Sequence, residues 1–432
     1  MKRTYIKEIK EAIDEELFLK GWVHKISDLG QLTFIMLRDK TGIIQLVLEK
    51  GTAEHLRLEM SVEVTGTRVF NEKAPGNPKG VELHVSGLKI LGKAYYDTLP
   101  FSINQREIKA SLEAQLDYRT ISLRSPKLRA VFKVQEEIIE AFRNFLRGND
   151  FSEINTPKII ATGTEGGSEM FTVNYFDRRA FLTQSPQFYK QMMVGAGFER
   201  VYEVGHAYRA ELHNTWRHLN EYVSLDLEMG FIQDETDLMD LEEEYLRFLF
   251  KHLEESCSSE LAMYNVELPS ELNIPRIPLS KAQEILLDKF GKRSPTGNID
   301  AEGEILFSKY IKETYSCDFV FLTEYPIPKR PMYAMPDENH LGMTRSFDLI
   351  YKGLEITTGG QRIHDYDMFK ENIKMFGLNP EDFGFYLDSF KYGMPPHGGL
   401  AIGLERITLK ILNLKNIREA TLIPRDIKRM EP

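Results

Sequence analysis

The stretch Tyr208-Arg209-Ala210-Glu211, followed by a polar loop and then by Arg217-His218-Leu219-Asn220-Glu221-Tyr222, is the most informative part of this chain. Its apolar flanks predict two strands joined by a loop that carries arginines, histidines and glutamates. Burying such groups without partners is costly, so they form either an exposed salt-bridged hairpin or one side of a cleft. Guanidinium groups grip phosphates bidentately, which suits a triphosphate. From these residues alone both alternatives remain open.

Two further segments are informative when they are considered together with the first. In Gly398-Gly399-Leu400-Ala401-Ile402-Gly403-Leu404-Glu405-Arg406 the glycines let backbone approach a ligand, and Arg406 opens a predicted helix, Ile407–Leu414. A third segment joins a predicted helix to a predicted strand that ends at a proline: Phe151-Ser152-Glu153-Ile154-Asn155-Thr156-Pro157. Each is weak evidence by itself.

The first hundred residues are typical of a small β-barrel. Short apolar stretches separated by glycine-containing turns predict strands at Leu17–Lys25, Gln31–Asp39, Ile43–Glu49, Met60–Phe70 and Val81–Leu91. Five such strands suit a closed barrel of the OB type, a fold that commonly binds single-stranded nucleic acid. A β-sandwich of another function remains the alternative for this segment alone.

The rest of the chain predicts an α+β domain. Residues 99–125, with a polar helical patch at Gln105–Leu116, indicate a hinge between domain 1–98 and domain 126–432. Helices are predicted at Lys127–Arg147, Asp234–Glu255 and Tyr366–Met375, and strands at Arg200–Arg209, Val223–Ile232, Ser346–Thr357 and Leu400–Leu404. Strand-rich segments separated by helices of uneven length favour an antiparallel sheet flanked by helices.

Composition excludes several classes of protein. With 432 residues, two cysteines and no apolar run near the ~20 residues that cross a bilayer, neither a disulfide framework nor a membrane span is expected, and we expect a cytoplasmic protein. The net charge of −10 disfavours nucleic acid at first sight. Residues 1–100, however, carry 15 basic against 14 acidic side chains, so the N-terminal part repels RNA least.

Taken together and in this order, these segments resemble the three signature motifs of class II aminoacyl-tRNA synthetases. The whole chain is similar to the aspartyl, asparaginyl and lysyl subgroup, above all to the compact archaeal-type aspartyl enzymes. The resemblance implies an OB-fold anticodon-binding domain, a class II catalytic domain, ATP and Mg²⁺ as cofactors, and a homodimer built around Pro157.

The resemblance also implies roles in ATP binding. Arg209 contacts the α-phosphate, and Glu211 lies on the adenine side, where Tyr222 stacks. Arg217, His218 and Arg406 hold the β- and γ-phosphates, next to Gly403. Glu355 and Thr358 take the Mg²⁺ positions, a carboxylate and a hydroxyl that suit a hard cation. The chemistry is positioning and charge neutralisation, so His213, His218 and His397 are interpreted as hydrogen-bond donors rather than general bases.

Aspartate is the substrate that the resemblance favours. Gln187 and Lys190 lie in a segment of the aspartyl form, Gln184 to Gln191, and Arg362 occupies the position of a bidentate partner for the β-carboxylate. Glu165 is expected near the substrate amine. Two cations in one pocket favour an anion, since a neutral amide would leave them uncompensated.

The predicted barrel carries the positions that match the family's anticodon readers. Phe34 corresponds to a stacking platform and Gln45 to an amide that reads a base edge, although Phe34 could equally belong to the barrel core. His24 lies where strict members carry tryptophan, and Pro78 where they carry lysine. Both departures resemble the relaxed type that aspartylates tRNA-Asp and tRNA-Asn, which implies a functional link to an amidotransferase.

Three other functions remain as alternatives. The first is an asparaginyl-tRNA synthetase, which the presence of Lys190 and Arg362 disfavours. An asparagine synthetase on the same core would not need an anticodon-binding barrel. A catalytically silent tRNA-binding paralogue would have lost a phosphate arginine.

Overall fold

The structure, a computed structural model, describes residues 2–96, 98–105, 107–163 and 170–432. It divides into two compact units, Met1–Ala110 and Ser111–Pro432. The division falls inside segment 99–125, and the last part of that segment forms the first helices of the second unit. The helical patch at Gln105–Leu116 is shorter than expected, since its helix begins only after Ser111, whose hydroxyl accepts from Ala114 N.

The first unit is a β-barrel. Its strands are β1 (Glu16–Leu29), β2 (Leu32–Arg38), β3 (Ile43–Glu49), β4 (Ser61–Phe70), β5 (Gly76–Asn77) and β6 (Val81–Gly92). Strands β1, β2, β3, β6 and β4 pair in a closed circuit, and β5 joins the edge of β3. Alternate residues such as Ile35, Leu37, Ile44 and Leu46 point inward and are fully buried. The five-stranded OB-type barrel predicted from the sequence is therefore confirmed.

The second unit is built on a large, mainly antiparallel sheet. The strands are β7 (Ser152–Glu153), β8 (Ile159–Ile160), β9 (Thr172–Tyr175), β10 (Arg178–Leu182), β11 (Arg200–Tyr208), β12 (Glu221–Gly230), β13 (Arg276–Pro278), β14 (Phe319–Pro326), β15 (Met343–Tyr351), β16 (Leu354–Arg362) and β17 (His397–Gly403). Among the described residues the large sheet has the order β13-β14-β15-β16-β17-β12-β11-β7, and β8, β10 and β9 form a small separate sheet. The strand predicted over Ser346–Thr357 is wrong, because Lys352 and Gly353 turn the chain with positive φ and split it into β15 and β16.

Helices flank the sheet. They are α1 (Leu112–Asp117), α2 (Arg119–Ser122), α3 (Pro126–Gly148), α4 (Gln187–Met193), α5 (Thr236–Ser256), α6 (Ser258–Met263), α7 (Leu279–Phe290), α8 (Ala301–Tyr315), α9 (Tyr366–Met375), α10 (Gly384–Leu387) and α11 (Leu404–Ile411). The apolar sides of α3 and α5 pack with the sheet into the main core. None of the helices that the structure describes combines the length and apolarity of a membrane-spanning segment. The α+β class with an antiparallel sheet is confirmed.

Candidate active site

A cavity of about 280 Å³ lies where β12, β17 and β16 run side by side. Twelve residues singled out from the sequence line it, although they come from segments more than 200 residues apart. They are Gln187, Lys190, Arg209, Glu211, Arg217, His218, Tyr222, Glu355, Thr358, Arg362, Gly403 and Arg406. The structure thus selects the cleft over the exposed hairpin that the sequence left open.

Arg209 and Tyr222 form one end of the cavity. The Arg209 guanidinium carbon lies 5.6 Å from the centre of the Tyr222 ring, and Arg209 Nη1 lies 3.9 Å from Glu211 Oε1. Asn220 holds the loop between them, because its side-chain amide donates to the carbonyl oxygens of Arg209 (2.7 Å) and Glu211 (2.9 Å). A cation and an aromatic face lie together here, an arrangement that can neutralise an anionic group and stack against a flat ring.

Arg217 is fixed by a carboxylate that the sequence reasoning missed. Its two terminal nitrogens donate to Glu304 of α8, each at 2.9 Å, in a bidentate pair. Burial raises the pKa of Glu304, and Arg217 opposes that shift. Glu304 Oε2 also accepts from Glu355 N at 3.2 Å. Nothing in the sequence distinguished Glu304 from its acidic neighbours on the same helix.

His218 is uncharged at neutral pH. Burial lowers its pKa to about 4, helped by Arg406 and Arg217. Its Nδ1 lies 2.6 Å from Thr215 Oγ1. A histidine in this state is suited to a hydrogen bond with a ligand and carries no positive charge of its own.

Glu355, Thr358 and Arg406 form a compact group. Thr358 Oγ1 donates to Glu355 Oε1 (3.1 Å), and Arg406 Nη1 donates to the carbonyl oxygen (3.0 Å) and to Oε1 (3.3 Å) of Glu355. Burial opposes ionisation of Glu355, but the guanidinium groups of Arg406, Arg217 and Arg330 outweigh it and hold its pKa below the usual value. The carboxylate therefore stays negative.

A second acid lies directly across from this group. Asp348 of β15 pairs in register with Thr358 of β16, and its Oδ1 lies 2.8 Å from Arg330 Nη2. The missed strand break between β15 and β16 hid this neighbour, since only the hairpin brings the two positions together. The described residues contain no group of three or more histidines, cysteines or acids placed to hold a metal ion.

The other end of the cavity contains buried ion pairs. Lys190 Nζ lies 3.1 Å from Asp226 Oδ1 and 3.4 Å from Glu228 Oε2, and all three side chains are at most 2% exposed. The same ammonium donates to the carbonyl oxygen of Leu227 at 3.2 Å. Lys190 is therefore not a surface lysine.

Arg362 shares one of these carboxylates. Its Nε donates to Glu228 Oε1 at 3.2 Å, and its Nη2 donates to Gly399 O (3.0 Å) and to Gln187 Oε1 (3.4 Å). A Cβ at Gly399 would stand 2.0 Å from Glu228 Oε2, so glycine is required at this position. Glu228 therefore bridges the two cations that the sequence reasoning placed in one pocket.

These acids correct the charge argument made from the sequence. Lys190 and Arg362 are each compensated by protein carboxylates, so two cations alone do not demand an anionic ligand. The signal was available: Ser224, Asp226 and Glu228 alternate with apolar residues along β12, and all three are buried. Alternation in a strand places them on one face.

The remaining positions of the second unit lie outside the cavity. Pro157 is exposed, just before β8, and Ile159 beside it is 50% exposed. Glu165 lies outside the described residues, so its predicted place near the substrate amine stays a prediction.

Phe34 and Gln45 lie on the outer face of the barrel. In the β2–β3 ladder Phe34 faces Val47 and Met36 faces Gln45, whereas the alternate residues Ile35, Leu37, Ile44 and Leu46 fill the core. Phe34 is therefore not a core residue. Gln45 Nε2 donates to Glu82 Oε2 (2.9 Å), which also accepts from Asn71 Nδ2 (3.2 Å).

His24 and Pro78 differ in their surroundings. His24 is buried, and its Nδ1 lies 2.7 Å from Nη1 of Arg38, which pairs with Glu59. Pro78 follows β5, whose Asn77 pairs with Ile43 at the start of β3.

Family comparison agrees with the geometry of both units. Residues 111–427 match the model for "tRNA synthetases class II (D, K and N)", and residues 18–91 match an OB-fold nucleic acid binding domain. The chain belongs to the class II tRNA synthetases. Members of this family use ATP.

Individual class II tRNA synthetases are similar over the full length. The aspartate–tRNA(Asp/Asn) ligase of Aeropyrum pernix is 47% identical, with 95% of this chain and 94% of the relative covered. The aspartate–tRNA(Asp) ligase of Thermococcus kodakarensis is 43% identical, with both chains fully covered. Asparaginyl-tRNA synthetase from Pyrococcus horikoshii, solved with asparaginyl-adenylate, has a TM-score of 0.92 at 32% identity and full coverage of both chains.

Proposed function

We propose that this synthetase attaches L-aspartate to tRNA through an aspartyl-adenylate and accepts both tRNA-Asp and tRNA-Asn. The observation that carries the proposal is the pair Lys190 and Arg362, bridged by Glu228 at one end of a cavity whose other end holds the phosphate-binding arginines. Full-length similarity to aspartate–tRNA ligases supports the same substrate.

The charges around the substrate favour aspartate over asparagine. Lys190 and Arg362 face Asp226 and Glu228, two positive against two negative groups. The α-ammonium of an amino acid adds a third positive charge, and Asp226, which lines the cavity, can receive it together with the predicted contact from Glu165. A side-chain carboxylate adds the third negative charge. The α-carboxylate is directed to the α-phosphorus of ATP, so an amide side chain would bring no negative charge to balance the α-ammonium in this buried site, which is costly.

The proposed chemistry needs orientation and neutralised charge rather than a protein nucleophile. The α-carboxylate of aspartate attacks the α-phosphorus of ATP, with Arg209 at the α-phosphate and Arg217, His218 and Arg406 at the leaving pyrophosphate. Tyr222 stacks on the adenine with Glu211 beside it. The terminal ribose hydroxyl of tRNA then attacks the adenylate and releases AMP.

The residues present fit a divalent cation. Glu355 is held ionised and Thr358 offers a hydroxyl, whereas burial raises the pKa of Asp348, which lies across from Thr358 and pairs with Arg330. Mg²⁺ takes few protein ligands and completes its shell with phosphate oxygens and water. Glu355 and Thr358 would hold the ion, which would supply positive charge to the phosphates.

Relaxed tRNA choice rests on His24 and Pro78 and on the Aeropyrum pernix relative, whose name includes both tRNAs. Phe34 and Gln45 supply a stacking ring and an amide on the barrel face. Such a synthetase makes Asp-tRNA-Asn, a substrate for an amidotransferase.

A homodimer is also proposed. Exposed apolar residues lie in and next to the small sheet β8-β10-β9: Pro157 just before β8, Ile159 in β8, Tyr175 (47%) at the end of β9 and Phe176 (90%) in the turn that follows. An apolar surface of this kind marks an interaction site, and a second copy of the same surface can cover it.

Charging of two purified transcripts tests the tRNA choice. With aspartate and ATP, both tRNA-Asp and tRNA-Asn transcripts should accept aspartate at comparable kcat/KM. Aspartylation of tRNA-Asp alone would refute relaxed specificity and leave the amino-acid assignment intact.

A further inference from the structure

Behind the amino-acid end of the cavity lies a chain of buried polar side chains that the proposed chemistry does not use. It consists of Gln187 and Gln191 of α4, His397 at the start of β17 and Tyr386 of α10. Gln187 is 4% exposed, and the other three are fully buried. Of the four, only Gln187 also lines the cavity.

The direction of each hydrogen bond in this chain follows from one carbonyl group. His397 Nδ1 lies 2.9 Å from Pro395 O, so Nδ1 must carry the proton and donate. Burial holds the pKa of His397 at about 4, so the ring is neutral and its Nε2 can only accept. Nε2 lies 2.7 Å from Nε2 of Gln191, which must be the donor.

The orientation of Gln191 then fixes that of Gln187. With its NH₂ group turned to His397, Gln191 presents Oε1 to two donors, Tyr386 Oη (2.6 Å) and Gln187 Nε2 (2.9 Å). Gln187 therefore has its own Oε1 on the opposite side, where it accepts from Arg362 Nη2 at 3.4 Å.

The series of hydrogen bonds ends at Arg362, the residue proposed to bind the substrate side chain. His397 and Arg362 are also direct cross-strand partners on β17 and β16. If Gln187 were turned over, its NH₂ group would face the Arg362 guanidinium, donor against donor, and Arg362 would lose an acceptor in a buried site.

We propose that His397 and Gln191 are positioning residues for amino-acid recognition: they orient the Gln187 amide, which holds Arg362 in place for the β-carboxylate. The inference rests on the proposed use of aspartate. It assigns to His397 Nε2 an acceptor role, in addition to the donor role that is expected from the sequence and that Nδ1 fulfils.

Two substitutions of His397 separate the acceptor from the ring. His397→Leu removes the acceptor, whereas the amide oxygen of His397→Gln can stand close to the lost Nε2. ATP–pyrophosphate exchange is measured for each variant with aspartate and with asparagine, together with the KM for ATP. Losing one buried hydrogen-bond acceptor should raise the KM for aspartate about tenfold in His397→Leu and narrow the preference over asparagine. His397→Gln should recover most of the loss, and the KM for ATP should stay unchanged in both.

His252→Leu is the matched control. His252 is a partly buried histidine of α5 whose Nε2 lies 2.8 Å from Glu137 Oε2, away from the cavity. It should leave the KM for aspartate unchanged. If His397→Leu does not fold, as judged by thermal unfolding, Gln191→Met is used instead. It removes the side-chain amide that orients Gln187, and it should also raise the KM for aspartate about tenfold and leave the KM for ATP unchanged.

The outcomes are distinct. An unchanged KM for aspartate in the folded variant would overturn the inference, and so would an equal rise in the KM for ATP, which indicates general damage. A wild-type enzyme that prefers asparagine would instead overturn the proposed substrate.

Discussion

At the scale of single residues, Lys190 is the side chain on which amino-acid recognition most depends. It lies between two buried carboxylates, Asp226 and Glu228, so its loss leaves two buried negative charges against Arg362 alone. Lys190→Met keeps the shape of the side chain and removes the charge. We expect kcat/KM for aspartate to fall at least about 100-fold, since breaking a buried pair costs roughly 3–5 kcal/mol.

ATP–pyrophosphate exchange measures the effect of Lys190→Met, and Lys133→Met is its control. Lys133 pairs with Glu137 at 2.6 Å on α3, outside the cavity, and is 41% exposed. Near-normal activation of aspartate by Lys190→Met would remove the basis for the pocket assignment.

Glu304 offers a second prediction at this scale. Its bidentate pair fixes the Arg217 guanidinium, and Glu304→Gln removes the charge and one of the two acceptors. If Glu304 orients Arg217 for ATP, the KM for ATP should rise about tenfold because charge-assisted bidentate pairs are strong and directional. The KM for aspartate should stay unchanged.

A fall in the KM for ATP in Glu304→Gln would also be informative. If ATP must displace Glu304 from Arg217, the substitution would lower the KM for ATP, which contradicts a positioning role. Glu302→Gln is the control, because Glu302 lies on the same helix and its exposed side chain pairs with Lys292.

At the scale of elements, the barrel face formed by β2 and β3 should bind tRNA without affecting amino-acid activation. Stacking of one base on an aromatic ring contributes about 1–3 kcal/mol. Phe34→Ala should therefore raise the KM for tRNA about tenfold in aminoacylation and leave tRNA-independent ATP–pyrophosphate exchange unchanged. Phe70→Ala, which removes a 65% exposed ring from β4, is the control. Equal effects of the two variants on aminoacylation would argue against an anticodon platform.

Particular elements show why the sequence sufficed in some places and failed in others. The strands around Phe34 alternate and end at glycine-containing turns, so the sequence located them, but alternation could not tell which face is inside. The ladder neighbours Ile35 and Leu46 decided that. Between β15 and β16 the apolar run Leu349-Ile350-Tyr351 hid the turn at Lys352 and Gly353.

In the candidate active site, too, some residues could be found from the sequence and others only from the fold. The cavity residues found from sequence are those that a family motif carries, such as Arg209, Lys190 and Arg406. The partners that hold them, Glu304, Asp226 and Glu228, come from other elements, and only the fold brings them together. Pairing across the sheet is set by register, which a local pattern does not encode.

At the scale of the whole molecule, the exposed apolar surface at β8 and β9 predicts the oligomeric state. Ile159→Asp places a charge in the proposed interface, where burial without a partner is costly. Sedimentation should show a dimer for the wild-type protein and monomers for the variant. Ile305→Asp changes an isoleucine of similar exposure (52%) on α8 and should stay dimeric. A monomeric wild-type protein would contradict the proposal.

The central claim is that the cavity activates aspartate. ATP–pyrophosphate exchange with purified protein and Mg²⁺, supplied separately with aspartate, asparagine or lysine, tests it most directly because no tRNA enters the reaction. We predict exchange with aspartate and little with either other amino acid, because neither an amide nor an ammonium side chain brings the negative charge that balances the α-ammonium beside Lys190 and Arg362. Exchange that prefers asparagine would contradict the assignment of both residues while leaving the fold and the family unchanged.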